Sequence, residues 1–255
     1  MKLHFRKIGQ GRPIIILHGL FGSSDNWQTF GKNLSEKGFQ VLMVDLRNHG
    51  LSPHDDQFNF AVMAEDVLEL INDEHLTDVV IAGHSLGGKT AMKFAELYPD
   101  KLNGLIVIDI APRYYSVHHR KILDTLLSVN FADIKSRGEA EAILKSGIED
   151  SGTRQFLMKN LYWKEKEQLA WRFNLNVIND KIENVGEKIF FKVPFPKPTL
   201  FIKGEHSDYI TYDDEREIFE MFNNVTMKTA PDAGHWVHAD NPEWLLNEVI
   251  SFLNE

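Results

Sequence analysis

Apolar residues along the chain recur in two rhythms. Short runs rich in aliphatic and β-branched residues fall at 2–8, 13–17, 39–45, 78–83 and 102–109, and they read as strands, the first of them at a sheet edge. Longer stretches between them carry a helical period. Across 59–75 the apolar positions are Phe60, Met63, Val67, Leu70 and Ile71, and a second helix is predicted over 86–98, stopped by Pro99. This alternation predicts an α/β fold with a mostly parallel sheet and helices on its faces.

The alternation breaks between 112 and 193, where no buried strand is legible. Helices are predicted there at 117–129, at 136–147 behind a capping box of Ser136 and Glu139, at 153–161 and at 165–182. A structureless loop of that length is foreign to a compact domain. The segment therefore reads as an inserted helical subdomain. Prolines at 194, 196 and 198 mark the return to a strand at 199–203, a helix at 213–222, a strand at 225–230 and a last helix at 242–253. The expected layout is a body formed by 1–112 and 193–255, with a helical cap from 113–192.

Composition narrows the function. The 255 residues suit one large domain with an insertion, and 43% hydrophobic residues are enough for a full core. A net charge of −9 disfavours nucleic-acid binding, which needs Lys and Arg to neutralise phosphates. The absence of cysteine excludes disulfides, thiolate metal sites and a cysteine nucleophile. No run reaches the roughly 20 apolar residues of a membrane span. The start, Met1 to Phe5, shows no signal-peptide pattern. The expectation is a cytoplasmic protein without stable membrane association, monomeric or homodimeric.

The candidate chemistry centres on Gly83-His84-Ser85-Leu86-Gly87, a G-x-S-x-G pattern lying between a predicted strand and a predicted helix. A turn that tight strains the nucleophile's backbone and leaves room only for glycine on either side. The helix N-terminus behind it favours developing negative charge. The same residues also spell a phosphate-binding loop, since Gly83 to Thr90 satisfies G-x-x-x-x-G-K-T, and Asp109 after an apolar strand resembles a magnesium-holding aspartate. Other segments must separate the two readings.

Three do. His18-Gly19-Leu20-Phe21-Gly22 follows a buried strand and can supply one oxyanion N–H from Leu20, with Leu86 supplying the other. A nucleotide-binding reading leaves this segment without a role. Gly234-His235-Trp236 sits between the last strand and last helix, where His235 can serve Ser85 as general base and then general acid. His238 lies three residues on, but no third ligand at matching spacing accompanies it, so no metal site is expected. The third segment is Asp45-Leu46-Arg47-Asn48-His49-Gly50, a polar loop after a buried strand.

With these residues in view, the chain resembles the α/β-hydrolases, and among them the YbfF-type bacterial esterases and their mitochondrial abhydrolase relatives. The resemblance extends over essentially the whole chain, including Val107 to Pro112 and Trp171 to Leu175. It implies an α/β-hydrolase fold and a serine esterase that needs no cofactor. It makes the phosphate-loop match a coincidence, with Lys89 and Thr90 ordinary residues of a helix's first turn.

The histidine needs a carboxylate partner. The commoner position is the turn after the strand 199–203, where Ser207 occupies the usual slot and Asp208 is adjacent. The other is Asp109, at the end of the preceding strand. The resemblance implies Asp109, with Ser207 as an accessory and Asp208 as the fallback. Phe21, His84, Trp163 and Trp236 are the candidate substrate contacts. The resemblance further implies esters of small acyl groups as substrates, with acyl-CoA thioesters as a second candidate class, cleaved through an acyl-enzyme on Ser85. A cofactor-free perhydrolase or a C–C bond hydrolase would keep the same triad. A nucleotide-binding or non-catalytic ligand-binding protein is the alternative of another class.

Overall fold

The computed structural model describes every residue except His118 and Glu167. The chain opens with β1 (Phe5–Ile8), β2 (Arg12–Leu17), α1 (Gln28–Ser35) and β3 (Phe39–Val44). Then come α2 (Phe60–Asp73), β4 (Val80–His84), α3 (Leu86–Leu97) and β5 (Gly104–Ile108). Between β5 and the next strand of the main sheet lie α4 (Arg120–Leu127), α5 (Arg137–Gly147), α6 (Ser151–Met158), a hairpin of β6 (Leu161–Glu165) and β7 (Gln168–Trp171), and α7 (Leu175–Asp180). The chain ends with β8 (Thr199–Gly204), α8 (Tyr212–Met221), β9 (Val225–Ala230), α9 (Val237–Asp240) and α10 (Pro242–Leu253).

The main sheet runs β1-β3-β2-β4-β5-β8-β9. Only β1 is antiparallel to its neighbour; the remaining pairs are parallel. Parallel strands are buried on both faces, which is why β2 reads as an unbroken apolar run. Ile15 and Leu17 enter one core and Ile14 and Ile16 the other, according to the two-residue period of the strand. The helices start where the sequence signals them. The Asn59 side chain accepts the Val62 N–H at 3.1 Å and caps α2. Ser136 does the same for α5 through the Glu139 N–H, while the Glu139 carboxylate reaches back to the Lys135 N–H.

The segment between β5 and β8 departs from expectation in one respect. A helix over 165–182 does not form; residues 161–171 make a two-stranded hairpin, and only Leu175–Asp180 is helical. The reason lies in side-chain shape. Leu161, Leu169 and Trp171 are buried while the charged residues around them stay in water, a pattern that a pleated ribbon satisfies. Lys164, Glu165 and Lys166, whose charges mimic the polar face of a helix, lie at the far end of that ribbon.

The same segment is tied to the body by specific bonds. The Asn174 N–H donates to Asn48 O (2.9 Å), the Asn160 amide to Phe21 O (2.7 Å) and the Asn184 amide to Phe58 O (2.9 Å). Among the described residues, no helix is long and apolar enough to cross a membrane.

Candidate active site

The strand order brings five loop ends side by side. At the carboxyl edge of the sheet, β2, β4, β5, β8 and β9 are consecutive neighbours. Their exits carry, in that order, Leu20, Ser85, Asp109, Ser207 and His235. In open α/β sheets this edge is where ligands bind.

Ser85 sits on the turn between β4 and α3 with φ 52° and ψ −114°, outside the regions a non-glycine residue ordinarily occupies. Such a conformation costs roughly 1–3 kcal/mol and persists only where its surroundings impose it. Here the Ser85 N–H is held by Ile108 O at 3.1 Å. A Cβ on Gly83 would lie 2.2 Å from Gly87 O, and one on Gly87 would lie 2.3 Å from Leu17 O. Glycine is required at both, as the motif predicted.

The loop after β2 lies against the serine. A Cβ built on Gly19 would fall 3.4 Å from Ser85 Cβ. Its backbone is fixed by two buried histidines. His18 Nδ1 bonds Gly19 O (2.8 Å) while its Nε2 accepts the Leu46 N–H (3.0 Å). His49 Nδ1 bonds Arg47 O (2.9 Å) while its Nε2 accepts the Phe21 N–H (3.2 Å). A ring nitrogen that accepts a backbone N–H carries no proton, so both rings are neutral with the proton on Nδ1. Burial and the neighbouring His18 push the His49 pKa down to about 3, and burial lowers that of His18. Gly19 O also accepts the Gly22 N–H at 2.9 Å. The peptide plane carrying the Leu20 N–H is therefore held at its carbonyl end by two donors.

The sequence left two carboxylates for the histidine. His235 Nδ1 bonds Asp109 Oδ2 at 2.7 Å, and Asp109 is fully buried. Asp208 is exposed. Asp109 reaches over the end of β8: its φ is 51°, its Oδ1 accepts the Gly204 N–H at 2.9 Å, and its Oδ2 also accepts the Ser207 hydroxyl. Ser207 therefore occupies the slot after β8 and braces a carboxylate that comes from β5. The His235 ring stacks on Tyr209 with centroids 3.8 Å apart and 16° between planes. Burial and Asp109 push the Tyr209 pKa up to about 12, so the ring beside the histidine stays uncharged near neutral pH.

Two cavities meet at Ser85. The wider, about 250 Å³, is bounded by His235, His84, Phe21, Phe156, Leu157 and Trp236 among others. The narrower, about 30 Å³, is bordered by Leu20, Leu86, Lys89, Ile110, Tyr115 and Val185 among others. Of the predicted substrate contacts, Phe21, His84 and Trp236 border the wider cavity. His84 is buried there, with Nε2 on His235 O at 2.8 Å, and burial together with His235 and His238 keeps its pKa well below the usual histidine range. Trp163 is not part of this wall. It lies half exposed on β6, paired with Leu169, and borders neither cavity.

Lys89 is more than the ordinary residue of a helix's first turn that was expected. Its ammonium is buried and donates to Pro112 O (3.2 Å), Arg113 O (2.5 Å) and Glu187 O (2.6 Å). These acceptors use all three of its protons. Thr90 donates to Leu86 O. Both side chains of the apparent phosphate loop are engaged inside the protein, and neither faces an anion site. Among the described residues, the one arrangement resembling a metal site is Glu205, His206 and Asp232, with ligand atoms within 4.8 Å of one another on exposed residues, where Glu205 already accepts the Asp232 N–H.

Sequence reasoning missed Lys89, Tyr115 and Tyr209 as parts of the site. Lys89 had a signal: a lysine on the buried face of the helix that follows the elbow. Tyr115 and Tyr209 had none: the Tyr115 hydroxyl accepts the Ala111 N–H at 2.8 Å and donates to Tyr209 O, a contact 94 positions apart that no local pattern announces.

Comparison with known proteins bears on the whole arrangement. The family model for the alpha/beta hydrolase fold matches residues 12–138. The chain is 39% identical over 243 residues to a putative esterase/lipase of Haemophilus influenzae, covering 95% of this chain and 83% of that one. It is 34% identical over 245 residues to esterase YbfF of Escherichia coli, covering 95% and 93% respectively. A solved structure described as a marine microorganism esterase superposes with a TM-score of 0.96 at 43% identity, over 98% of this chain and 99% of that one. With its doubly buried parallel sheet and its elbow at Ser85, this chain belongs to the α/β-hydrolase family and is a hydrolase of the ester-cleaving type.

Proposed function

We propose that the protein hydrolyses carboxylic esters of small acyl groups through an acyl-enzyme on Ser85. The observation that carries this reading is the single hydrogen-bonded line of Asp109, His235 and their braces beside an elbow serine. His235 takes the Ser85 proton as the hydroxyl attacks the ester carbonyl. The new charge on the carbonyl oxygen is received by the N–H groups of Leu20 and Leu86. The protonated His235, held by Asp109, then gives its proton to the leaving alcohol, and the acyl group stays on Ser85. Water repeats the sequence in reverse and releases the acid. No step calls for a metal or cofactor. Thioesters present the same carbonyl and can follow the same route.

Residues 113–192 are the cap of this site, over a body of 1–112 and 193–255. Support comes from Phe156 and Leu157 of α6 and Ile122 of α4, which wall the wider cavity at Ser85. The test is hydrolysis of p-nitrophenyl acetate and butyrate. Turnover that disappears in Ser85→Ala supports the reading. Magnesium-dependent ATP binding with no ester turnover overturns it.

A further inference from the structure

The two cavities at Ser85 differ in one respect that chemistry makes decisive. The leaving oxygen of an ester is the atom that His235 protonates, so the alcohol must lie on the His235 side of the tetrahedral carbon. His235 borders the wider cavity; the narrower one is bordered by Ser85 and both oxyanion residues but not by His235. We propose that the narrow cavity lined by Tyr115 and Val185 is the acyl seat, and that the alcohol leaves through the wide cavity past Phe156 and Trp236. This rests on the ester-hydrolase reading and adds to it which half of the substrate is selected, and by which residues.

The acyl seat is short, and two of its walls are anchored by hydrogen bonds. A cavity needs roughly 10–15 Å³ to hold one water-sized group. At about 30 Å³ the seat therefore takes an acetyl or propionyl chain. Lys89 cannot swing aside, because its three protons bind carbonyls at both ends of the inserted segment, Pro112 and Arg113 at the entry and Glu187 at the exit. Nor can Tyr115, whose hydroxyl accepts the Ala111 N–H and donates to Tyr209 O. Val185 is the wall that a substitution can move without breaking a hydrogen bond.

The alcohol side is built in the opposite sense. The Phe156 and Trp236 rings, 4.4 Å apart, border both the wide cavity and a separate open groove of about 910 Å³. Its charged rim is Asp150, Asp240 and Glu243 against Lys159 alone. A field of that sign repels a polyanionic leaving group and accepts a neutral or cationic one. The substrate class is then a short acyl ester of a bulky, uncharged or cationic alcohol, apolar next to the ester bond. Acyl-CoA fits the acyl seat but not this rim.

Two ester series test the division. One varies the acyl chain on p-nitrophenol from acetate to hexanoate; the other varies the alcohol among acetates, from methyl to naphthyl. Val185→Ala should raise the butyrate-to-acetate ratio of kcat/KM by about tenfold, the worth of one accommodated methylene, and leave the naphthyl-to-methyl ratio unchanged. Val185→Ile, which keeps the core filled, should lower the propionate-to-acetate ratio. Leu157→Ala should move the alcohol ratio and not the acyl ratio. For charge, acetylthiocholine, S-acetyl-N-acetylcysteamine and acetyl-CoA share one thioester bond, and the released thiol is read without background because the chain has no cysteine. The expected order of kcat/KM places acetyl-CoA last. Crossed ratios, or acetyl-CoA as the best thioester, overturn the assignment while Ser85-dependent turnover persists. Loss of all Ser85-dependent turnover instead overturns the hydrolase reading beneath it.

Discussion

Replacing Asp109 by asparagine tests which carboxylate serves His235, and the structure sets the size of the effect. Asp109 is buried and uses both oxygens: Oδ1 for the Gly204 N–H at 2.9 Å, Oδ2 for the Ser207 hydroxyl and for His235 Nδ1 at 2.7 Å. An asparagine has one carbonyl oxygen and one amide group. If the oxygen keeps Gly204, the amide faces His235 Nδ1, which must then accept. The ring proton moves to Nε2, on the side of Ser85, and no lone pair is left there to take the serine proton. If the amide turns the other way, two donors face each other in a buried site at a cost of about 1–3 kcal/mol. The first arrangement wins, and kcat should fall by about 10⁴, equivalent to roughly 5.5 kcal/mol of barrier. The assay is p-nitrophenyl acetate turnover normalised to folded protein, with thermal melting to show that Asp109→Asn folds. Asp208→Asn, on an exposed residue, should remain near wild type. A large loss in Asp208→Asn together with near-normal Asp109→Asn refutes the assignment.

Other consequences follow from the same contacts. Ser207→Ala removes one of the donors to Asp109 Oδ2, and kcat should drop by about tenfold, the worth of one hydrogen bond to a charged group. Lys89→Met leaves the carbonyls of Pro112, Arg113 and Glu187 without their donor; stability should fall by about 3 kcal/mol, read as a lower urea midpoint. Acid should destabilise the fold through its neutral histidines. Unfolded histidine binds a proton near pH 6.5, but folded His49 does so only at about 3 and His238 at about 4. The unfolded chain thus holds more protons in that window, stability is complete above pH 6.5, and it declines as pH falls towards 3. At pH 5 each contributes about 2 kcal/mol of loss, and His49→Asn should flatten the stability-against-pH curve between pH 6.5 and 4.

Much of the fold could be read in the chain because local and global preferences agree there. The strand Val225–Ala230 and the helix Pro242–Leu253 have the bounds that pattern and proline placement predict. The elbow was legible because its glycines answer to close backbone contacts at Leu17 and Gly87. The hairpin at 161–171 was not legible: Trp163-Lys-Glu-Lys-Glu-Gln168 has helical composition, and only burial of Leu161, Leu169 and Trp171 against the rest of the chain makes it a ribbon. Trp163, a candidate substrate contact, lies half exposed on that ribbon and borders neither cavity at Ser85. The burial of Lys89 was not legible for a related reason: the carbonyls that surround it lie 23 to 98 positions away. Residue spacing alone left the acid open between Asp109 and Asp208. The backbone at Asp109, with φ 51°, aims the carboxylate across β8, and no local pattern announces that turn.

The central claim is that Ser85 carries the acyl group. Rapid acid quench of the enzyme turning over p-nitrophenyl acetate, followed by peptide mass analysis, tests it directly. The predicted result is one acetyl group on the peptide containing Ser85, accumulating in step with an initial burst of p-nitrophenol and absent from Ser85→Ala. An acetyl group on another residue, or undiminished turnover in Ser85→Ala, contradicts it.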